Sequence, residues 1–181
     1  MQRIHLTTKR LRLFPLDIQH KDAYYSLISN NKKQLKESFP ITVLNTNTPA
    51  KTRIYLKNLQ ENWLQDKGGK LGIWLDTTLI GMVMIKNIDW SIPKCELGYF
   101  VGEAFTRKGY ATEAIGAVLT YCFKELNFSK VFVRVIATNT ASIALAEKCG
   151  FIREGYLKNE YRTGNKQLVD LVYFGIFPEK S

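Results

Sequence analysis

The stretch Phe105–Ala114, "FTRKGYATEA", places two cations and a glycine where a predicted strand passes into a predicted helix. The first N–H groups of a helix have no partner within it, and the helix dipole is positive at that end. A glycine at this point lets a phosphate come close to the backbone, and Arg107 and Lys108 add positive charge. The stretch therefore predicts a phosphate site; the alternative is an ordinary strand-to-helix junction. The chain has no GxxxxGK[ST], GxGxxG or GxSxG motif.

Polar side chains also stand at a second helix start, in "NTASIALAEKCGF". Asn139 is a favoured N-cap, and Ser142 suits the first turn, so both are explained by helix capping alone. Two glutamates are further candidates for a functional site. Glu160 lies in "LKNEYRTGNK" near a predicted hairpin, where a solvent-facing charge is the simple explanation. Glu96 lies on the strand "CELGYFV", whose alternation allows either face.

The elements that must position these residues alternate in a β-α-α-α-β-β-β-α-β-α-β-β order, which predicts a single α+β domain over 1–181. Thr48 and Pro49 are a helix start, and Gly150 is a helix stop. The helix from Thr48 is expected to turn Ile54, Leu59 and Trp63 inward. The predicted segments are a strand at 9–16, helices at 17–29 and up to 39, a loop at 40–50, a helix at 48–66, strands at 70–76, 79–89 and 93–102, a helix from 109, a strand at 130–137, a helix from 139 or 140 to 150, and strands at 152–161 and 167–176.

Composition limits the class of protein. The chain has 181 residues, 45% hydrophobic and 23% charged, with a net charge of +10. This charge favours an anionic partner, namely nucleic acid, an acidic protein or a polyphosphate, although a solvated basic surface explains it equally well. No dense Arg/Lys block with interleaved aromatics appears, so nucleic acid is the less favoured partner. No apolar run is long enough for a membrane span or a signal peptide, so we expect a cytoplasmic, unprocessed protein without a membrane partner.

Three cysteines without a CxxC pair argue against a disulfide framework, and we expect them to be buried small hydrophobes. The two histidines stand in unrelated contexts near the N-terminus. We therefore predict no metal site.

The strand "LGYFV", the loop after it and "NTASIALAEKCGF" together resemble the GCN5-related N-acetyltransferase (GNAT) superfamily, over nearly the whole chain. The family's loop pattern, Gln/Arg-x-x-Gly-x-Gly/Ala, maps onto Thr106, Gly109 and Ala111, and Thr106 departs from it. The detail looks most like the ribosomal-protein N-terminal acetyltransferase branch. The resemblance implies a mixed, mostly antiparallel sheet of about seven strands flanked by helices, and acetyl-CoA as co-substrate. It implies these cofactor-binding residues: Tyr99, Phe100, Val101, Arg107, Lys108, Gly109, Tyr110, Ala111, Thr112 and Asn139.

The same resemblance implies catalytic roles. The strand at 99–101 would diverge from its neighbour, so that pantetheine pairs with its main chain and an N–H polarises the thioester carbonyl. Ser142 matches a serine proposed to protonate the leaving thiolate. Glu160 matches a glutamate thought to act as base through a water, and Glu96 is the second candidate for the base.

The implied reaction is direct acetyl transfer to a primary amine, most favourably the N-terminal α-amine of a ribosomal or other protein, including an acidic one. An α-amine has a pKa of about 7.7–8, so it needs less help than a lysine. The alternatives are a small amine such as a polyamine or aminoglycoside, and a non-catalytic acyl-CoA sensor or RNA-binding module. A homodimer is also expected, because members of this branch often pair and the last strand, "LVYFGIF", would offer an apolar edge.

Overall fold

The structure, a computed structural model, describes residues 4–178. Within that range, eight strands form one sheet and six α-helices pack on it, with 3₁₀ turns at Ile18–His20 and Glu103–Phe105. In chain order the elements are β1 (Leu6–Thr7), β2 (Arg12–Pro15), α1 (Lys21–Asn30), α2 (Lys32–Ser38), α3 (Pro40–Asn45), α4 (Pro49–Leu64), β3 (Gly69–Leu75), β4 (Thr78–Asp89), β5 (Lys94–Val101), α5 (Tyr110–Lys124), β6 (Lys130–Ile136), α6 (Thr140–Lys148), β7 (Ile152–Arg162) and β8 (Leu168–Ile176).

The strand order across the sheet is β1-β2-β3-β4-β5-β6-β8-β7, and only the β5–β6 pair is parallel. The predicted mixed, mostly antiparallel sheet flanked by helices is therefore confirmed. The described residues contain one strand more than expected, because β1 pairs with β2 through Leu6 and Leu13. A strand of two residues is too short to show the alternation by which a strand is recognised in sequence.

Two hydrophobic clusters lie on the sheet. The first packs mainly against α5 and α6 and takes Leu97 and Val101 from β5. The second packs against α1 and α4 and takes Phe100 from β5. Because successive side chains of a strand point to opposite faces, β5 contributes to both clusters, and Glu96 and Gly98 share the face of Phe100. We call the face with α5 and α6 the donor face and the face with α1 to α4 the acceptor face, after the acetyl donor and the amine acceptor of the expected reaction.

Two local predictions are wrong. The segment 40–50 is not all loop, because Pro40 opens α3 and the β-branched Thr42 and Val43 are buried in it. Tertiary burial here outweighs the low helix propensity of "ITV". Ile54 is 62% exposed, since α4 buries Thr52, Leu56 and Trp63. At 3.6 residues per turn, Ile54 lies on the side of the helix opposite to Thr52 and Leu56. Thr48 does cap α4, with its side chain accepting from the Lys51 N–H.

The last strand does not offer a free edge. β8 lies between β6 and β7, and its backbone pairs with both. The edge strand at this end of the sheet is β7, which carries Arg153, Glu154 and Lys158, and charged side chains disfavour edge-to-edge pairing. The sequence argument for a dimer through β8 is therefore wrong, and the homodimer itself stays a prediction.

The cysteines are free thiols. Cys95 and Cys122 are buried, with their sulfurs 4.0 Å apart, as expected of small hydrophobes, whereas Cys149 is half-buried at the end of α6. No helix within residues 4–178 is long and apolar enough to cross a membrane.

Candidate active site

The parallel strands β5 and β6 separate part of the way along their length. Lys94, Cys95 and Glu96 pair with residues 130–132 of β6. Beyond this point β5 continues to Val101 against β4 only, and β6 continues to Ile136 against β8 only. The main-chain groups of residues 97–101 that point away from β4 therefore have no strand partner. An extended ligand can pair with such an edge as an added strand.

The loop between β5 and α5, residues 106–109, has the shape of an anion site. Arg107 and Gly109 have positive φ angles of 60° and 81°, and Gly109 is the N-cap of α5. Alternation of right- and left-handed residues turns successive N–H groups to one side, which creates a concavity for anions. A Cβ built on Gly109 would have only the Arg10 Nη2 within 4 Å, at 3.3 Å, so the loop is open towards solvent. These residues fit a pyrophosphate.

The start of α6 faces this cleft from the other side. Asn139 caps α6, and its Oδ1 accepts from the Ser142 N–H at 3.1 Å. The Tyr99 hydroxyl of β5 donates to the Ser142 carbonyl oxygen at 3.3 Å, which joins the two walls of the cleft. Within the described part of the chain, the Ser142 hydroxyl makes no hydrogen bond. The structure thus brings Tyr99, Asn139 and Ser142 together, and the capping role of Asn139 coexists with its place in the cleft.

Glu96 lies where β5 and β6 separate, on the acceptor face. It is 3% exposed, and its carboxylate receives three donors: Lys86 Nζ at 3.1 Å, Arg134 Nη2 at 2.8 Å and Asn87 Nδ2 at 2.6 Å. The hydrogen bond to Glu96 raises the pKa of Arg134 above its ordinary value, and the charge of Glu160 contributes to the same shift. Glu96 is thus a carboxylate already bound to two cations.

Glu160 is exposed on β7, next to an irregularity of the β7–β8 pairing between Leu157 and Tyr161. Asn159, the residue before it, has a left-handed φ of 51°, and its N–H donates to Asp170 Oδ1 at 2.8 Å. The bulge fixes the backbone from which the Glu160 side chain projects. Its charge contributes to raising the pKa of Arg134, so the Glu160 carboxylate lies within electrostatic range of that guanidinium.

The β7–β8 hairpin and α2 form a second wall on the acceptor side. The Tyr161 hydroxyl donates to the Ser38 carbonyl oxygen at 3.1 Å. Gly164 lies so close to α2 that a Cβ would approach the Lys36 carbonyl oxygen to 2.3 Å, a distance real Cβ atoms do not show. Two segments distant in sequence therefore meet on this side of the sheet.

The acceptor face also buries a lysine. Lys70 of β3 is 1% exposed, and its Nζ donates to Tyr24 OH at 2.9 Å and to Thr42 Oγ1 at 2.8 Å, with the Tyr55 ring centroid 4.9 Å away. Burial lowers the pKa of Lys70 to about 7, and the nearby charge of Lys86 acts in the same direction. A buried amino group needs hydrogen-bond partners, and the hydroxyls of Tyr24 and Thr42 supply them.

Two arginines at the site were missed in the sequence. Arg134 stands alone in the β-branched strand "KVFVRVI", and alternation against Val133 and Val135, which join the first cluster, could have shown that it faces the acceptor side. Arg10 contacts the anion loop across nearly a hundred residues of chain, and no local pattern reveals that contact. The remaining predicted residues lie in or beside the loop: Lys108 is exposed, the Tyr110 ring lies under Arg10, and Ala111 and Thr112 are half-buried.

The chain belongs to the GNAT acetyltransferase family: the sequence model of the "Acetyltransferase (GNAT) domain" matches residues 10–152. "Putative ribosomal N-acetyltransferase YdaF" of Bacillus subtilis (strain 168) is 30% identical over 132 residues, which is 71% of this chain and 72% of that protein. Spermidine N(1)-acetyltransferase of Vibrio cholerae serotype O1 is 32% identical over 83 residues, 46% of this chain and 48% of that protein.

A solved structure of RimL, described as a ribosomal L7/L12 alpha-N-protein acetyltransferase in complex with coenzyme A, superposes with a TM-score of 0.90 at 18% identity. The match covers 98% of this chain and all (100%) of that one, so the two chains have the same fold. As a GNAT-type N-acetyltransferase, the chain takes its acetyl group from acetyl-CoA.

Proposed function

We propose that this chain transfers the acetyl group of acetyl-CoA to the N-terminal α-amine of a protein, most favourably a ribosomal protein. The observation that carries the proposal is the charge arrangement of the acceptor face. Glu96 is neutralised by Lys86 and Arg134, which leaves Glu160 to meet the acceptor amine. An exposed carboxylate in this role suits an acceptor with one amine near the reacting carbonyl.

On the donor side, main chain does most of the binding. The unpaired groups of residues 97–101 would hold the extended pantetheine arm, and the loop around Gly109 would hold the pyrophosphate. Holding thioester and amine in one orientation removes much of the entropic cost of a bimolecular step. The net charge of +10 adds a general attraction for an anionic donor.

Ser142 is assigned as the proton donor to the leaving sulfur. The Tyr99 hydrogen bond fixes its main chain in the cleft, while its hydroxyl makes no hydrogen bond among the described residues. When the amine nitrogen has bonded to the acetyl carbon, its surplus proton leaves to Glu160 through the water. The carbon–sulfur bond then breaks, the thiolate takes the Ser142 proton, and Ser142 regains a proton from solvent. A positioned acid of this kind contributes typically 10²–10⁴-fold, and we expect the low end because a thiolate is a fair leaving group.

Glu160 is assigned as the base, acting through a water. This role asks little of a base, because roughly a tenth of α-amines with a pKa of about 7.7–8 are already neutral near pH 7. Glu96 is assigned a structural role, since its buried carboxylate is already engaged by two cations and an amide donor.

The spermidine acetyltransferase relative supports a second candidate, a polyamine acceptor. A polyamine carries several positive charges and needs several free carboxylates. The acceptor face instead presents Lys86 and Arg134 beside Glu96, so local charge favours the protein acceptor. A non-catalytic acyl-CoA sensor, the third possibility, would bind the donor without turnover.

An acceptor panel separates these functions. CoA release is measured with a short peptide bearing a free α-amine, the same peptide with a blocked N-terminus and one lysine, spermidine, an aminoglycoside, and no acceptor. We expect the free α-amine peptide to give the highest kcat/KM. Turnover with spermidine alone would replace the proposal by the polyamine function, and donor binding without turnover on any amine would indicate the sensor.

A further inference from the structure

The anion loop lacks the side chain that its family motif places at the first position. Thr106 stands there, and its hydroxyl is used in a local bond to the Glu103 carbonyl oxygen at 2.9 Å. The loop nevertheless holds Arg107, a residue with a Cβ, at a φ of 60°. Side chains other than glycine rarely adopt this conformation, so contacts outside the loop have to stabilise it.

Arg10, in the turn between β1 and β2, makes such contacts. Its Nη1 donates to the Lys108 carbonyl oxygen at 3.0 Å, and its guanidinium lies 4.5 Å from the centroid of the Tyr110 ring. Its Nη2 is the nearest atom to the open side of Gly109. Arg10 thus touches three consecutive residues, 108 to 110, at the point where the loop becomes a helix.

Glu113, in the first turn of α5, anchors Arg10 in place. Its Oε2 accepts from Arg10 Nε at 2.7 Å and pairs with Nη2 at 2.6 Å, while its Oε1 accepts from the Arg10 N–H at 2.9 Å and from Thr8 Oγ1 at 2.6 Å. Burial alone would raise the pKa of Glu113, but the hydrogen bonds from Thr8 and Arg10 outweigh it and lower that pKa. The carboxylate is therefore ionised and matched by the guanidinium.

This pairing matters for an anionic ligand. An unpaired carboxylate in the first turn of α5 would repel a pyrophosphate at the same helix end. Two guanidinium nitrogens of Arg10 meet the same Glu113 oxygen and the third still donates to the Lys108 carbonyl, whereas a lysine has a single nitrogen and cannot occupy these separate positions at once.

We propose that Arg10 is a positioning residue for the acetyl donor, which holds the anion loop in its binding shape and cancels the charge of Glu113. The proposal rests on the proposed function, because it assumes that the loop receives the pyrophosphate of acetyl-CoA. The loop motif alone suggests that Arg107, inside it, contributes more to CoA affinity than a residue outside it. We expect the reverse, with Arg10 contributing more than Arg107.

The test compares donors with and without a pyrophosphate. The CoA dissociation constant is measured by calorimetry, and kcat/KM is measured with acetyl-CoA and with an acetyl-pantetheine thioester that lacks the nucleotide. We expect Arg10→Ala to weaken CoA binding about 10- to 50-fold while the rate with acetyl-pantetheine changes less than about twofold. Arg107→Ala, and the matched control Arg12→Ala on β2, should each weaken CoA binding less than about fivefold.

Two further measurements separate positioning from folding. In the free protein, amide exchange over residues 107–113 should be faster in Arg10→Ala and unchanged elsewhere in α5. Glu113→Gln added to Arg10→Ala should recover part of the lost CoA affinity, because it removes the charge repulsion but does not restore the contacts of Arg10 with residues 108 to 110. Arg10→Lys should bind CoA with intermediate affinity.

The proposal is overturned if Arg10→Ala binds CoA like the wild type, or if its rate with acetyl-pantetheine falls as much as its rate with acetyl-CoA. The second result would also follow from misfolding, and it would assign Arg10 a general structural role. If the wild type itself does not bind CoA, the proposed function fails together with this inference.

Discussion

The donor and acceptor faces of the sheet are built from different groups. On the donor face, α5 and α6 cover a core of aliphatic, aromatic and cysteine side chains. The buried polar side chains among residues 4–178 belong instead to the acceptor face or to segments that cover it: Thr42, Thr46, Thr52, Lys70, Glu96 and Thr163. The acetyl donor is the same whatever the acceptor, so main-chain groups on a packed core can bind it. The particular acceptor, by contrast, has to be recognised by side chains.

The largest effect should come from breaking the donor loop. Gly109→Val places a β-branched residue at a φ of 81°, a conformation that such residues essentially avoid, and fills the space that a phosphate needs. We expect the dissociation constant for acetyl-CoA to rise at least about 100-fold by calorimetry. Gly116→Val, on the same helix with no atom within 4 Å of its Cβ, is the control and should bind normally. Normal acetyl-CoA binding by Gly109→Val would show that this loop does not bind the phosphates of the donor.

A smaller loss is expected at the start of α6. Ser142→Ala should lower kcat about 100-fold and leave the acetyl-CoA dissociation constant unchanged, because the hydroxyl acts on the leaving sulfur and the main-chain bonds to Tyr99 and Asn139 remain. Thr140→Ala, an exposed position in the same turn, should leave kcat unchanged. Single-turnover and binding measurements separate an effect on the chemical step from an effect on acetyl-CoA binding. Equal losses in binding and rate would show that Ser142 only shapes the cleft.

On the acceptor face, the two carboxylates should respond differently to pH. Glu160→Gln should lower kcat/KM about tenfold below pH 7, where the α-amine is mostly protonated, and the loss should shrink above pH 8, where the free amine predominates. Glu147→Gln, on the exposed side of α6, is the control.

Glu96→Gln should instead reduce the free energy of unfolding, by about 1–3 kcal/mol, because Lys86 and Arg134 lose their shared partner. Urea unfolding measures this loss. If Glu96→Gln shows the pH signature and Glu160→Gln does not, Glu96 is the base.

The smallest effect on catalysis is expected at Lys70. Its pKa is lowered to about 7 in the folded protein, so between this value and its ordinary 10.5 the unfolded chain holds a proton that the native chain has lost. Stability from this group therefore rises with pH across that window and is lowest below pH 7, with a slope of at most about 1.4 kcal/mol per pH unit. Lys70→Met should abolish that slope and keep kcat within about twofold.

Urea unfolding at several pH values from 7 to 10 measures the difference in slope between Lys70→Met and the wild type. The exposed Lys67→Met is the matched control, and its slope should equal that of the wild type. Parallel slopes for Lys70→Met and the wild type would show that folding does not lower the pKa of Lys70.

Much of the donor side could be predicted from sequence, because its signals are local. The strand before the loop, Gly109 at the helix start, the stripe of α5 and Asn139 as a cap each depend on residues a few positions apart. The structure places all of them as expected. Gly150 ends α6 with a φ of 88°, which the stop signal also predicts.

The acceptor side could not be predicted in the same way. α3 depends on burial of Thr42 and Val43, and the phase of α4 puts Ile54 in solvent, facts that only the packed fold decides. The ion pairs of Glu96 join three strands, and the β7–β8 hairpin meets α2 through Tyr161 and Ser38, more than a hundred residues apart. Contacts of this kind leave no periodic pattern in the sequence.

The most direct test of the account is mass spectrometry of protein N-termini from cells with and without the gene, with a strain carrying the Ser142→Ala variant as control. We predict that one or a few proteins, a ribosomal protein among them, lose N-terminal acetylation in the deletion strain and are at most partly acetylated in the variant strain. Unchanged N-termini in all three strains, together with a loss of acetylated polyamine in the deletion strain, would contradict the proposed acceptor.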